Sequence, residues 1–228
     1  MVGLGVMGRN FLLNVADNGF SIIGLDTNTE QAKALEEEAD GKVAKGTTKV
    51  KEFVASLKKP RKIMLLVPAG RVVDIVIEDL LKHVEKGDLI IDGGNSFFED
   101  TDRRLEYLKE KKVEFLGVGV SGGAKGARFG PSIMPGGSKK AYNKVKKILE
   151  AVSAKVNGEP CVAYMGKGSA GNYVKMVHNG IEYAMMQLLA ESYDILKNIG
   201  GLSNEELHKA YTKSVSYTHL TLPTICSV

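Results

Sequence analysis

The sequence predicts an α/β fold in which a doubly wound parallel sheet is followed by the truncated start of an all-α domain. A glycine-rich turn at residues 3–8 leads directly into an amphipathic helix. Short apolar runs, which are typical of buried parallel strands, then alternate with amphipathic helices. Further along, the apolar residues recur with a helical period only. We therefore expect a first domain over residues 1–165, the first helices of a second domain over 166–214, and an unrelated tail over 215–228.

Composition and charge exclude several classes of protein. The chain of 228 residues has 43% hydrophobic and 25% charged residues, which is ordinary for a globular protein. Its net charge of +4 is small, and basic and acidic residues are interspersed, so we expect no nucleic-acid partner. An apolar run of about 18 residues is missing, so we expect no membrane span. Cys161 and Cys226 do not have the spacing of a metal site, which predicts no metal and a reducing, cytoplasmic location.

The glycine-rich turn has the spacing G-x-G-x-x-G at Gly3, Gly5 and Gly8. It precedes a helix and a short apolar strand that ends at Asp26. An acidic residue about 20 positions after such glycines is the fingerprint of a Rossmann-type dinucleotide-binding domain. The first glycine allows a tight turn, the second lets the backbone approach the pyrophosphate, and the third lets helix and strand pack closely. A carboxylate at Asp26 would accept a hydrogen bond from a free ribose 2′-hydroxyl and repel a 2′-phosphate.

Further apolar runs predict more strands of the same sheet, with amphipathic helices between them. The strands are expected at residues 62–67, 88–92, 114–118, 131–137 and 161–164, and the helices at 72–81, 100–111 and 139–154. Ligands of such sheets bind beyond the carboxyl ends of the strands. The candidate ends are Val67-Pro68-Ala69, Gly94-Asn95 and Gly119-Val120-Ser121. The glycine-rich loop at 120–128 has backbone N–H groups that could hold a carboxylate or a phosphate.

The helix that follows the predicted hinge at residues 166–171 carries an unusual polar stripe. Lys175, His178, Asn179 and Glu182 lie at i, i+3, i+4 and i+7, which places them on one face over two turns. A lone lysine–glutamate pair in such a place is more often an exposed ion pair. Four polar groups among apolar neighbours, beside glycine-rich segments, favour proton transfer instead, since a lysine and a glutamate can accept and return a proton. The helix is expected to reach about Lys197, and a capped helix to follow from residue 203 to about 213.

Four segments resemble the decarboxylating 6-phosphogluconate dehydrogenases in their residues, order and spacing. They are residues 92–96, 120–123, 131–137 and 174–183, and the likeness runs from Met1 to about Lys213. The resemblance implies oxidative decarboxylation of 6-phospho-D-gluconate to ribulose 5-phosphate and CO2, in the pentose phosphate pathway, with NADP or NAD and no metal. It also implies a homodimer for the full-length protein, which in this family is about twice as long.

The resemblance also assigns roles to individual residues. Lys175 matches the family's general base, and Glu182 matches the acid that protonates the enediol. The positions that match substrate contacts are Asn95, Ser121, Gly122, Gly123, His178, Asn179 and Tyr183. The positions that match cofactor contacts are Gly3, Leu4, Gly5, Val6, Met7, Gly8, Asp26, Thr27, Asn28, Val67, Pro68, Ala69 and Asn95.

The sequence departs from the family at the residues expected to contact the cofactor. Family members that use NADP usually carry Asn-Arg-Thr after the second strand, whereas this chain has Asp26, Thr27 and Asn28. Pro68 stands where a basic residue is often found. These residues favour NAD while the family most often uses NADP, so both cofactors stay open.

Two other functions are compatible with parts of the pattern. A related β-hydroxyacid dehydrogenase, such as 3-hydroxyisobutyrate dehydrogenase, shares the glycine-rich start and an interdomain lysine but does not need Glu182 as an acid. The second possibility is a truncated, inactive nucleotide-binding fragment. Only Met1 and Val2 precede the first glycine, although a central strand needs about five residues. The family's phosphate-binding basic residues lie in later segments, so we expect a fragment that is inactive alone.

Overall fold

The computed structural model describes residues 1–40 and 44–218. The main sheet contains β1 (Ile22–Leu25), β2 (Ala44–Thr47), β3 (Lys62–Leu65), β4 (Leu89–Asp92), β5 (Glu114–Ser121) and β6 (Ser132–Gly137). Val2 bridges Leu25 of β1 and Leu65 of β3, both in parallel, so the order across the sheet is β2-β1-Val2-β3-β4-β5-β6. Adjacent strands are parallel except β5 and β6. The predicted α/β fold is confirmed, and the chain start takes the central place with only a few residues.

The antiparallel last pair has a simple cause. A parallel neighbour needs a crossover connection of about a dozen residues or more. The link from β5 to β6 holds little besides the short helix α6 (Gly123–Phe129). The chain therefore turns back beside β5 instead of crossing over.

Helices cover both faces of the sheet, as a doubly wound fold requires. They are α1 (Val6–Asp17), α2 (Thr29–Glu38), α3 (Val50–Ala55), α4 (Arg71–Leu81), α5 (Phe98–Glu110) and α7 (Lys139–Val152). The side chains of β3 alternate between two buried clusters: Met64 packs with residues of α1 and α7, whereas Ile63 and Leu65 pack with residues of α3 and α4. A two-stranded hairpin, β7 (Lys155–Val156) and β8 (Glu159–Pro160), follows α7.

The chain forms two compact units. The first spans Met1–Met176 and the second begins at Val177, within the long helix α8 (Ala170–Asp194). The second unit continues with a π-helical turn, Ile195–Ile199, and with α9 (Asn204–Thr218). Many of its apolar side chains are exposed, including Ile181 and Leu188 at 58% and 65%. The predicted cap of the last helix is confirmed, because Ser203 and Glu206 exchange hydrogen bonds of 2.8–3.3 Å.

Some elements differ from the sequence-based expectation. The loop predicted at residues 120–128 mostly forms α6, because Ala127 is buried and the Asn14 side chain donates to the Ala127 carbonyl at 3.1 Å. The strand expected at 161–164 is reduced to an isolated bridge between Ile133 and Val162. Helix α9 continues to Thr218, past its predicted end. The rest of the predicted tail, with His219 and Cys226, lies outside the described residues.

Candidate active site

The glycine-rich turn has the geometry that its sequence predicts. Gly3 has φ +88°, and a Cβ there would lie 2.4 Å from the Leu66 carbonyl oxygen. A Cβ on Gly8 would lie 1.9 Å from the Gly3 carbonyl oxygen. Helix α1 can therefore pack this closely against the turn only because residue 8 is a glycine. By contrast, a Cβ on Gly5 would meet nothing within 4 Å. The backbone is therefore open at Gly5, where a pyrophosphate would have to approach it.

Asp26 is fixed beside this turn. One carboxylate oxygen accepts the N–H of Leu4 at 2.7 Å, and the other accepts the N–H of Asn28 at 2.9 Å. The Asn28 side chain in turn accepts from Glu30 N at 2.8 Å and caps α2. Each carboxylate oxygen has two lone pairs, so Asp26 can still accept a hydrogen bond from a sugar hydroxyl.

A cavity of about 480 Å³ adjoins the turn. Gly3, Gly5, Asp26, Thr27, Asn28, Val67 and Pro68 of the predicted cofactor set line it, together with neighbours such as Gln31, Thr48 and Val72. Among the described residues, its lining contains two acids, Asp26 and Asp79, and neither lysine nor arginine. The remaining predicted contacts border this region: Leu4 is buried, Val6 is 61% exposed at the start of α1, and Met7 packs against the core. Ala69 is exposed in the turn after β3. These residues fit the adenosine half of a dinucleotide.

The turn after β4 is built around a buried carboxylate. Asp92 accepts the N–H of Gly94 at 3.0 Å through one oxygen and the hydroxyl of Ser96 at 2.5 Å through the other. Burial raises the pKa of Asp92, while these hydrogen bonds and the guanidinium of Arg104 oppose that rise. Asn95 lies exposed at the tip of the turn. The turn thus presents Asn95 from a fixed base.

Helix α8 begins in direct backbone contact with the sheet. A Cβ on Gly171 would lie 2.2 Å from Met134 O, 2.5 Å from Gly117 O and 2.7 Å from Gly136 N. One turn later, the Cβ of Lys175 would lie 2.6 Å from a Cβ on Gly119 of β5. Lys175 is only 8% exposed. The absence of side chains at these glycines allows α8 to pack closely and buries the stem of the lysine.

Two polar contacts hold the start of the same helix. The Asp102 carboxylate of α5 accepts the backbone N–H of Ser169 at 2.9 Å and its hydroxyl at 2.8 Å. A carboxylate at a helix N-terminus is stabilised by the helix dipole. Asn172 is 2% exposed, and its Nδ2 lies 3.5 Å from Gly94 O, whereas its Oδ1 is buried and has no hydrogen-bond partner among the described residues. The helix that carries Lys175 therefore meets the turn that carries Asn95.

The remaining substrate positions occupy two places. Ser121 ends β5, and Gly122 and Gly123 have positive φ angles of 131° and 59° at the start of α6. In the second unit, His178 Nδ1 lies 3.2 Å from Asn179 Oδ1 and 3.6 Å from a Glu182 oxygen. Tyr183 is 69% exposed. The Glu182 side chain is 54% exposed, so it is accessible for proton exchange.

Sequence reasoning missed Arg104, Asp102 and Asn172, since a single polar residue in an amphipathic helix is usually solvated.

The described residues contain no group of three or more histidine, cysteine, aspartate or glutamate side chains that could hold a metal ion. Within residues 1–40 and 44–218, the structure shows no helix that is both long and apolar enough to span a membrane.

Comparison with known families identifies the family of the chain. The family model described as the NAD binding domain of 6-phosphogluconate dehydrogenase matches residues 1–166, and the model of that enzyme's C-terminal domain matches residues 171–219. The chain belongs to the 6-phosphogluconate dehydrogenase family. This confirms the resemblance on which the sequence-based roles depend.

Relatives within the 6-phosphogluconate dehydrogenase family are close in sequence. The chain is 52% identical to decarboxylating 6-phosphogluconate dehydrogenase 2 of Saccharomyces cerevisiae, over 93% of this chain and 44% of that protein. It is 53% identical to the NADP(+)-dependent decarboxylating enzyme of Bacillus subtilis, over 93% and 45%. The chain thus spans less than half the length of the curated relatives it matches.

Solved structures agree with this assignment. The 6-phosphogluconate dehydrogenase of Plasmodium falciparum, studied with NADP+ and with 6-phosphogluconate, matches with a TM-score of 0.88 and 51% identity over 93% of this chain and 46% of that one. A 3-hydroxyisobutyrate dehydrogenase of Mycobacterium tuberculosis matches with a TM-score of 0.76 and 24% identity, over 93% and 68%. The second likeness shows a shared fold only.

Proposed function

We propose that this chain supplies the dinucleotide-binding domain and the catalytic helix of an enzyme that decarboxylates 6-phospho-D-gluconate oxidatively to ribulose 5-phosphate and CO2. The observation that carries the proposal is the burial of Lys175 against Gly119 of β5, on the helix that meets the Asn95 turn. The sequence identity of about half to decarboxylating 6-phosphogluconate dehydrogenases supports it. No observation on this chain favours the β-hydroxyacid dehydrogenase alternative.

The proposed chemistry divides between Lys175 and Glu182. A bound nicotinamide supplies the hydride acceptor. The Lys175 amine takes the proton of the C3 hydroxyl while C3 is oxidised to a ketone. The bond between C1 and C2 then breaks, CO2 leaves, and the electron pair forms an enolate that the Lys175 ammonium stabilises by a hydrogen bond. Glu182 protonates the carbon that carried the carboxylate. We assign Asn95, Ser121, Gly122, Gly123, His178, Asn179 and Tyr183 to binding of the sugar phosphate.

Turnover can be tested in a hybrid protein in which residues 1–213 continue into the remaining helical half of the Bacillus subtilis relative. The hybrid should release CO2 from 6-phosphogluconate and reduce the dinucleotide. Lys175→Met should abolish reduction, whereas Glu182→Gln should slow product formation and leave substrate binding nearly intact. Lys109→Met, at an exposed lysine that pairs with the exposed Glu106 at 3.0 Å, is the control and should be active. Oxidation of short 3-hydroxy acids without activity on the sugar phosphate would contradict the proposal.

We also propose that NAD is the preferred dinucleotide. A carboxylate at Asp26 would repel a 2′-phosphate, and the described residues that line the adjoining cavity include two acids but neither lysine nor arginine. Asp26→Asn with Thr27→Arg should raise the affinity of the chain for NADPH relative to NADH by about tenfold, as the removal of one repulsion and the addition of one charge suggest. Glu106→Gln, at an exposed carboxylate that pairs with Lys109 and does not line this cavity, is the control and should leave the ratio unchanged. An unchanged ratio in the double variant would show that Asp26 does not face the ribose.

A homodimer in the cytoplasm is our further proposal for the complete enzyme. It rests on the family resemblance and on the exposed apolar side chains of the second unit, such as Met185 and Leu189. Sedimentation of the hybrid protein should give the mass of two chains. A monomer that is fully active would contradict the proposal.

A further inference from the structure

We propose that Arg104 is a positioning residue that fixes the spacing of the turns after β3 and β4, and thereby the affinity for the nicotinamide half of the dinucleotide. The inference rests on the proposed function, since it requires a dinucleotide to bind at these turns. Arg104 belongs to α5 and touches neither the glycine-rich turn nor Asp26 in the contacts of the described residues.

The guanidinium of Arg104 is buried, with 1% of the residue exposed. Its Nε donates to Asp74 at 2.8 Å, and its Nη2 donates to the Gly70 carbonyl at 2.9 Å and to Asp74 at 3.2 Å. Its Nη1 donates to Ser96 Oγ at 3.2 Å and lies 3.6 Å from Asp92. Arginine has five N–H donors in a planar fork. Here the guanidinium donates four hydrogen bonds, and its Nη1 also lies within ion-pair distance of Asp92.

These partners lie on different turns. Gly70 closes the turn after β3, which contains Val67, Pro68 and Ala69, and it precedes α4. Ser96 and Asp92 form the base of the turn after β4, which presents Asn95. Arg104 therefore connects the two turns through one rigid group. A substitution of Arg104 should therefore change the distance between the turns after β3 and β4, which are two of the strand ends where ligands of this fold bind.

Lysine cannot replace this arginine without loss. An ammonium is a compact charge with three donors, so it can satisfy one turn but not hold both in a fixed geometry. The neighbouring Arg103 provides a matched control, because it contacts the same Asp74 at 3.0 Å and also Asp100 at 3.1 Å. Its side chain is 56% exposed, and its hydrogen bonds involve neither turn.

The experiment compares binding of NADH and of ADP to the 228-residue chain by calorimetry. ADP requires the glycine-rich turn and Asp26, whereas NADH also extends toward the turns that Arg104 connects. Arg104→Lys should weaken NADH binding about tenfold and change ADP binding less than twofold, and Arg103→Lys should leave both unchanged. Because a buried substitution can impair folding, Ser96→Ala serves as a milder variant that removes one contact of Arg104. It should weaken NADH binding about threefold at unchanged ADP binding.

Each outcome decides between the alternatives. Equal NADH affinity in the parent chain, Arg104→Lys and Ser96→Ala would overturn the inference. An equal loss of NADH and ADP binding would also overturn it, because it would reveal a general structural role. A parent chain that binds ADP but gains nothing from the nicotinamide half would overturn the inference while leaving the adenosine site intact. A parent chain that binds neither ligand would contradict the proposed function itself, and the inference with it.

Discussion

Replacing Gly171 with alanine should lift the start of α8 off the sheet. The added Cβ would lie 2.2 Å from Met134 O, 2.5 Å from Gly117 O and 2.7 Å from Gly136 N. All three neighbours are backbone atoms, so no flexible side chain can move aside. Because ordinary contacts begin near 3.4 Å, the helix must shift by about 1 Å. Overpacking of this kind costs about 1–3 kcal/mol, and a 1 Å displacement of a reacting group can reduce a rate about 100-fold.

Two measurements test this prediction. Urea unfolding of the 228-residue chain should show a loss of about 2 kcal/mol for Gly171→Ala, and the hybrid protein should lose most of its turnover. Gly180→Ala is the matched control, since it lies in the same helix with nothing within 4 Å of its Cβ. Alanine is favoured over glycine in a helix by about 0.5–1 kcal/mol, so this variant should be at least as stable as the parent. If both variants unfold at the same urea concentration as the parent, backbone contact does not locate α8.

Three further predictions concern other parts of the chain. Hydrogen bonds from Arg104 lower the pKa of Asp74 below its usual value of 3.8. Relative to Asp74→Asn, the parent chain should therefore be more stable above pH 3.8 and should lose this advantage as the pH falls through the lowered pKa, which acid unfolding of both proteins measures. Gly5→Ala should leave unfolding unchanged but abolish NADH binding, because the methyl group enters the open space at the backbone, whereas Gly8→Ala should also destabilise the chain by about 1–3 kcal/mol. Ser203→Ala should cost α9 about 1 kcal/mol, measured by faster hydrogen exchange in its first turn.

The strands that the sequence predicts are those with continuous apolar runs. The last three residues of β3 and all of β4 are buried, and both strands are apolar except for Lys62 at the start of β3 and Asp92 at the end of β4. Strand β2 has the sequence Ala-Lys-Gly-Thr and lies at the sheet edge, where little apolar surface is needed. It therefore lacks the apolar run from which a strand could be predicted. Helix α2 buries only Ala32 and Leu35, which is too few residues to establish a period. Helix α6 depends on the hydrogen bond from Asn14, more than a hundred residues away, and local sequence does not encode it.

The candidate site divides in the same way. The turn at Gly3, Gly5 and Gly8 could be predicted because the helix, the strand and Asp26 that complete the fingerprint follow it directly in the sequence, although the close approach of Gly3 to Leu66 is a tertiary contact. The glycine-rich segment before α8 was interpreted as a hinge, yet Gly171 serves contact with the sheet. That function depends on which strand lies beneath the helix, which only the tertiary structure shows. Arg104 was missed for the same reason, since its partners come from α4 and from the turns after β3 and β4.

The contacts of Lys175 and of Asp26 imply two separable kinds of variant. Lys175 is located by β5, β6 and α5, through glycine contacts and through the hydrogen bonds that Ser169 donates to Asp102. Asp26 is located by the glycine-rich turn and by the start of α2. The two sets share no contact among the described residues, and substitutions without shared partners act additively. In the hybrid protein, substitutions around Lys175 should therefore lower kcat with little effect on cofactor affinity. Substitutions around Asp26 should weaken cofactor binding with little effect on kcat. A double variant with one substitution from each set should show the product of the two effects.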